Sequence, residues 1–133
     1  MDIKELKPTS IWHYFDAITG VPRPSKKEER IREFLLNFAK EQNLEVKVDK
    51  TGNVVITKEA TPGCEGAPTV ILQAHMDMVC EKNGDVKHDF ERDPIETYID
   101  GEWVKARGTT LGADNGIGMA AAMAVLADKE LKH

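Results

Sequence analysis

The apolar positions in the first forty residues recur at helical spacing. Those of the first predicted helix fall on one face, at i, i+3, i+4 and i+7: Ile11, Tyr14, Phe15 and Ile18. Ser10 is its predicted N-cap, and Gly20 ends it. Ser25 and Glu28 fit an S-x-x-E capping box, which predicts a second helix running to about Gln42. The apolar residues of that helix are expected to face inward: Ile31, Phe34, Leu35 and Phe38.

Alternating patterns then predict strands. "LEVKVD" and "NVVITK", separated by a turn at Thr51 and Gly52, favour one hairpin, and "IETYIDGEWVKA", with its turn at Asp100 and Gly101, favours another. "TVILQA" is apolar on both faces, which is typical of a strand in the middle of a covered sheet. "GMAAAMAVLAD" predicts a helix of small residues. We therefore expect an α/β fold with helices on both sides of a sheet, incomplete in this chain because few strands are present.

Composition narrows the classes of function. The chain has 133 residues, 41% of them hydrophobic and 31% charged, with a net charge of −5 and scattered basic residues, which argues against a nucleic-acid surface. No apolar stretch reaches the roughly 18 residues of a membrane helix, and "MDIKELKPTS" lacks the apolar region of a secretory signal. Cys64 and Cys80 lack metal-site spacing and are expected to be reduced thiols. A cytoplasmic protein that binds neither nucleic acid nor membrane is expected.

Three acidic or imidazole side chains are candidates for chemistry. His75 and Asp77 alternate along one extended stretch, "VILQAHMDMV", so their side chains should point to the same side of the sheet. Histidine is a favoured zinc ligand, and a carboxylate beside it fixes its tautomer; the alternative is a strand end that meets solvent. Asp114 lies in the loop "LGADNGIG", where Gly112 and Gly116 permit unusual backbone conformations.

The same loop contains a second pattern. "GIGMAA" fits the dinucleotide-binding pattern G-x-G-x-x-A. That motif requires a strand leading directly into its first glycine, whereas here a loop beginning at Arg107 intervenes. Nucleotide binding is therefore the less favoured interpretation.

Longer motifs indicate a family. "GVPRPSKKEERI", "VILQAHMDMVCEKN" and "HDFERDPIETYIDGEWVKARGTTLGADNGIGMA" closely resemble the aminoacyl-histidine dipeptidases, also called Xaa-His or beta-alanyl-histidine dipeptidases. These belong to the zinc-peptidase superfamily that includes carnosinases and aminoacylases. The resemblance implies a three-layer α/β/α catalytic domain with a mixed central sheet. It also implies metal-dependent hydrolysis of dipeptides, preferentially Xaa-His.

The resemblance assigns roles to individual residues. His75 corresponds to a ligand of one of two zinc ions, and Asp77 to the catalytic-site acid that orients this histidine. Asp114 corresponds to the aspartate that bridges both metals, joined to Asn115 by a cis peptide bond. Cobalt and manganese are alternative metals. The substrate-binding residues stay unassigned.

The family pattern exceeds this chain. Its members are several times longer, so residues 1–133 are expected to be the N-terminal portion of the catalytic domain, without the remaining catalytic segment and the lid and dimerisation domain. The general base and the other metal ligands would lie elsewhere. The chain alone is therefore expected to be inactive, with its zinc site empty or partly filled. It is also expected to self-associate. The full-length protein is expected to be a homodimer. The alternative is a stand-alone, non-catalytic α/β binding module.

Overall fold

Two helices, two β-hairpins and a third helix follow one another in the computed structural model, which describes residues 1–133. A short 3-10 turn, Ile3–Glu5, precedes the first helix. The helices are α1 (Thr9–Thr19), α2 (Glu29–Glu41) and α3 (Ala113–Ala127). The strands are β1 (Glu45–Val48), β2 (Val54–Thr57), β3 (Thr97–Asp100) and β4 (Trp103–Ala106). None of the helices combines the length and apolar character that a membrane crossing requires.

The core lies where the three helices meet. The predicted inward faces of α1 and α2 are buried at Phe15, Ile18 and Ile31, which are at most 1% exposed. α3 adds small and flexible residues, with Ala120 fully buried, so that its backbone packs closely on α1. Burying each large apolar side chain stabilises the fold by about 1.5–3 kcal/mol. The helices are thus held by their shared apolar interface.

Both predicted hairpins are confirmed. β1 pairs antiparallel with β2, placing Val48 opposite Val54 across the turn at Thr51 and Gly52. β3 pairs antiparallel with β4, and Gly101 in its turn has φ +60°, a conformation that glycine adopts readily. The two hairpins form separate two-stranded sheets.

The predicted N-terminal caps of α1 and α2 are wrong, whereas α1 ends at Gly20 as predicted. α1 begins at Thr9, and its N-cap is Pro8, whose ring has no hydrogen-bonding group; Ser10 is the second residue inside the helix. α2 begins at Glu29, with Glu28 as an N-cap that makes no side-chain cap hydrogen bond. The Ser25 hydroxyl instead donates to a carboxylate far along the chain. A tertiary partner has displaced the local capping interaction.

The predicted central strand "TVILQA" does not form within this chain. Residues 69–77, called the 69–77 segment below, contain no assigned helix or strand, and their backbone groups make no hydrogen bond to other backbone groups. Val70 and Ile71 are 77% and 83% exposed. A strand requires neighbours for its N–H and C=O groups, and none of residues 1–133 supplies one. The apolar residues of this stretch predicted a buried strand, but within residues 1–133 the stretch is neither paired nor buried.

The fold class is confirmed as an α/β domain that is incomplete in this chain. Three helices share one core, while the strands form only two small hairpins. The 69–77 segment enters the site from one side, and the loop before α3 enters it from the other. The candidate residues lie where these two parts of the chain meet.

Candidate metal centre

His75 and Asp77 lie together at the end of the 69–77 segment. His75 Nδ1 is 3.1 Å from Asp77 Oδ1 and 3.0 Å from the Asp77 carbonyl oxygen. The two side chains therefore point to the same side of the chain, as their alternate positions indicated. A carboxylate at Nδ1 accepts a hydrogen bond from the N–H there, and in the neutral imidazole this tautomer leaves the Nε2 lone pair for a cation.

Asp114 meets His75 from the opposite side. Its Oδ1 lies 2.9 Å from His75 Nε2, and its side chain is 96% exposed. Asp114 and Asn115 depart from helical φ and ψ in the first turn of α3, and the peptide bond between them is cis. Gly112 precedes them in the left-handed conformation, with φ +77°. The chain thus presents the carboxylate to His75 and leaves its second oxygen open.

Ser25 completes the cluster, and the sequence analysis missed its role. Its hydroxyl donates a 2.5 Å hydrogen bond to Asp77 Oδ2, on the side of the carboxylate away from His75. Ser25, Asp77, His75 and Asp114 therefore form one continuous row of polar contacts. The capping-box pattern that includes Ser25 accounted for its presence locally, so the sequence contained no separate signal for this contact.

Hydrogen bonds within the row shift the pKa values of His75 and Asp77. The hydrogen bond to Asp114 raises the pKa of His75, with further support from Asp77 that outweighs partial burial. The hydrogen bond from Ser25 lowers the pKa of Asp77 below its usual range. The two carboxylates therefore favour positive charge between them, either on a protonated His75 or on a cation bound at its Nε2.

The donor atoms suit zinc in kind. Imidazole nitrogen and carboxylate oxygen are common zinc ligands, and a carboxylate behind a ligating histidine is a frequent arrangement around zinc. Only His75 and Asp114 offer donor atoms on the same spot, and no group of three or more His, Cys, Asp or Glu side chains in the chain is arranged to hold a metal ion. Both cysteines are free thiols outside this cluster. The chain therefore offers two donor atoms of the kind that zinc binds, fewer than a complete site needs.

Two known proteins with more than half of their aligned residues identical to this chain are dipeptidases. The chain is 54% identical over 132 residues to the cytosol non-specific dipeptidase of Escherichia coli (strain K12), and the match covers 99% of this chain and 27% of that protein. It is 56% identical to the aminoacylhistidine dipeptidase of Vibrio alginolyticus, whose crystal structure it matches with a TM-score of 0.97 over 100% of this chain and 27% of that one. No family model matches the chain.

A more distant structure shares only the fold. A tripeptidase from Staphylococcus aureus subsp. aureus mu50 matches 91% of this chain and 32% of its own, with a TM-score of 0.72 at 22% identity. The chain spans 27% of the length of the two dipeptidases, so it corresponds to part of such a protein. The predicted similarity to the aminoacyl-histidine dipeptidases is thereby confirmed along the whole of this chain.

Proposed function

We propose that this chain is part of the catalytic domain of a cytoplasmic dizinc dipeptidase that prefers substrates of the Xaa-His type. The observation that carries the proposal is the contact between His75 Nε2 and Asp114 Oδ1, with Asp77 behind the imidazole. Its relatives are a cytosol non-specific dipeptidase and an aminoacylhistidine dipeptidase, which supports peptide hydrolysis and leaves two candidate specificities.

Each residue has a physical task in this proposal. Asp77 accepts a hydrogen bond from the Nδ1–H of His75, which would leave the Nε2 lone pair for a metal ion held beside Asp114. Asp114 offers one oxygen beside His75 and a second in the open, so that its carboxylate suits a bridge between two cations. The backbone of Asn115 and Gly112, which departs from helical geometry on either side of it, sets its direction. Zinc ions, when bound, act as Lewis acids toward the peptide carbonyl, and cobalt and manganese are alternatives.

The remaining ligands and the general base belong, in this proposal, to the rest of the protein. Structural zinc takes four ligands and catalytic zinc at least three, whereas His75 and Asp114 provide two. The exposed Val70 and Ile71 of the 69–77 segment also need cover from strands outside residues 1–133. We therefore expect residues 1–133 alone to be inactive, to bind zinc weakly and to self-associate, and the complete protein to be a homodimer.

The second candidate is a non-catalytic α/β binding module. It is favoured by the lack of any group of three metal-binding side chains within the chain. A module of this kind would retain the fold without metal-dependent hydrolysis. The two candidates therefore differ in the activity of the complete protein.

The test measures dipeptide hydrolysis by the complete protein that contains this chain. We expect release of histidine from β-alanyl-histidine, loss of activity with a chelator, and recovery with zinc. His75→Ala and Asp114→Asn should each lower kcat/KM by more than about 100-fold, since removing a ligand exceeds the effect of removing its supporting partner. His13→Ala, on the exposed surface of α1, is the matched control and should retain activity.

Specificity and the fragment's inactivity have separate outcomes. A kcat/KM higher for β-alanyl-histidine than for dialanine supports the Xaa-His preference, and equal values contradict it. Hydrolysis by purified residues 1–133 contradicts the assignment of further ligands to the rest of the protein. A complete protein without chelator-sensitive hydrolysis supports the binding module instead.

A further inference from the structure

Arg23 is the largest side chain that the chain buries completely. It is 1% exposed, and no carboxylate lies within salt-bridge distance of it. Burying an unpaired charge is costly, and an apolar residue of similar volume is often equally good or better for stability. A simple contribution to the core therefore does not account for a guanidinium at this position.

Its hydrogen bonds join the two halves of the candidate metal centre. Nη1 donates to the carbonyl oxygens of Met76 and Asp77, at 3.0 and 3.2 Å. Nη2 donates to the carbonyl oxygen of Gly112, at 2.7 Å. Met76 lies between His75 and Asp77, and Gly112 lies two residues before Asp114. One planar, rigid group thus spans both peptide segments that supply the site.

The backbone of Arg23 strengthens this link. The Met78 N–H donates to the Arg23 carbonyl oxygen at 3.0 Å, and Pro24 and Met78 form an isolated parallel bridge. Ser25 follows, with its hydroxyl on Asp77. The stretch from Arg23 to Ser25 is therefore fixed to the end of the 69–77 segment, while the guanidinium extends from it to the loop before α3.

The surrounding glycines leave space for the guanidinium. A Cβ atom at Gly112 would lie 2.6 Å from Arg23 Nη2, and one at Gly116 would lie 2.8 Å from it. Both distances are shorter than atoms in contact allow. The start of α3 and the glycine before it thus lie close against the guanidinium at two positions.

From this geometry we propose that Arg23 is a positioning residue of the metal centre. Its buried guanidinium holds residues 75–77 and the start of α3, which carries Asp114, at a fixed separation. This inference rests on the proposed function, because it assigns Arg23 to the same metal site. Arg23 acts through the ligands and touches neither metal nor substrate. Its planar fork with several donors is what the role requires, so lysine, with a single nitrogen, should not replace it.

The test compares Arg23→Lys and Arg23→Met with Arg32→Met in the complete protein. Arg32 is the matched control because it also donates to a glycine carbonyl, that of Gly52 at 3.1 Å, but outside the site. We measure zinc affinity by competition with a chromophoric chelator, the visible absorption of the Co²⁺-substituted protein, and the melting temperature of the metal-free protein.

Both Arg23 variants should lower zinc affinity by about 10–100-fold, the usual effect of losing a residue that supports a ligand, and should alter the Co²⁺ spectrum. Arg32→Met should lower the melting temperature while leaving affinity and spectrum unchanged. Gly116→Ala, which retains Arg23 but crowds Nη2, should lower zinc affinity in the same direction and decides the matter if the Arg23 variants do not fold.

Each failure has its own signature. If the unaltered protein binds no zinc and hydrolyses no dipeptide, the proposed function fails together with this inference. If the unaltered protein binds zinc and Arg23→Met or Gly116→Ala matches it in affinity and spectrum, only the role of Arg23 is overturned. Full affinity in Arg23→Lys contradicts the bridging role of the guanidinium fork.

Discussion

The helical core and the 69–77 segment have similar apolar sequences and opposite surroundings. Ile18 and Ile31 are fully buried, whereas Ile71 is 83% exposed. The core residues lie on helices whose backbone hydrogen bonds are internal, so each helix needs a partner only for its apolar face. The 69–77 segment needs partners for its backbone as well. The helices can therefore pack on one another within residues 1–133, whereas the 69–77 segment has no neighbouring strand and stays exposed.

The far end of the same segment shows the effect of having partners. Next to this end, the Met78 N–H donates a hydrogen bond to the Arg23 carbonyl oxygen. Ser25 donates to the carboxylate of Asp77, and Arg23 donates to its carbonyl oxygen. The apolar residues 70–72 have no such contacts. The candidate metal centre is therefore assembled at the one end of the segment that the rest of this chain holds.

The largest expected effect comes from breaking the core. Phe15, 1% exposed, packs edge-to-face on Trp12 and lies against Gly116 of α3. Phe15→Ala should lower the free energy of unfolding by about 3–5 kcal/mol, because it removes buried apolar contacts and leaves a cavity. Urea denaturation of residues 1–133, followed by circular dichroism, measures this loss.

Val70→Ala is the matched control in the 69–77 segment. Its side chain is 77% exposed, so the same measurement should change by no more than about 0.5 kcal/mol. A loss at Val70 comparable to that at Phe15 would contradict the difference between the two regions.

Most of the fold could be predicted from local patterns. The helical periods, the turn residues and the alternation of β1 to β4 each depend on residues close in sequence. The caps at Ser10 and Ser25 could not, because the proline before α1 and the distant Asp77 decide them. The strand at "TVILQA" failed for the same physical reason, since pairing depends on residues outside the pattern.

The sequence predicted the candidate ligands of the site but not the residues that hold them in place. The sequence predicted His75, Asp77 and Asp114 because their residue types and the surrounding motifs are characteristic. The structure brings these three side chains together. Arg23 and Ser25 lie more than fifty residues earlier than the groups they hold, and "VPRPS" reads locally as a connector. Contacts between such distant residues leave no periodic signal along the chain.

An intermediate effect, on zinc affinity, is expected from Ser25, whose hydroxyl donates a hydrogen bond to Asp77 at the end of the 69–77 segment. Ser25→Ala removes the hydrogen bond to Asp77 that lowers the pKa of this carboxyl and fixes its orientation toward His75. In the complete protein we expect zinc affinity to fall by about 10–100-fold with little change in melting temperature. Competition with a chelator measures the affinity. Ser10→Ala, in the exposed first turn of α1, is the control and should leave affinity unchanged; equal affinity in both variants removes Ser25 from the site.

The smallest effect on stability is expected at the unpartnered end of the segment. Ile71→Lys should change the free energy of unfolding by no more than about 0.5 kcal/mol, because the side chain is already in solvent. It should nevertheless reduce self-association of residues 1–133, since a charge on an open strand opposes edge-to-edge pairing. Sedimentation velocity over a range of concentrations measures the association. Val55→Lys, at a 59% exposed position of β2, is the control and should leave association unchanged. If both lysines reduce association equally, net charge rather than the open strand controls it; if Ile71→Lys unfolds the chain, the segment is part of the core after all.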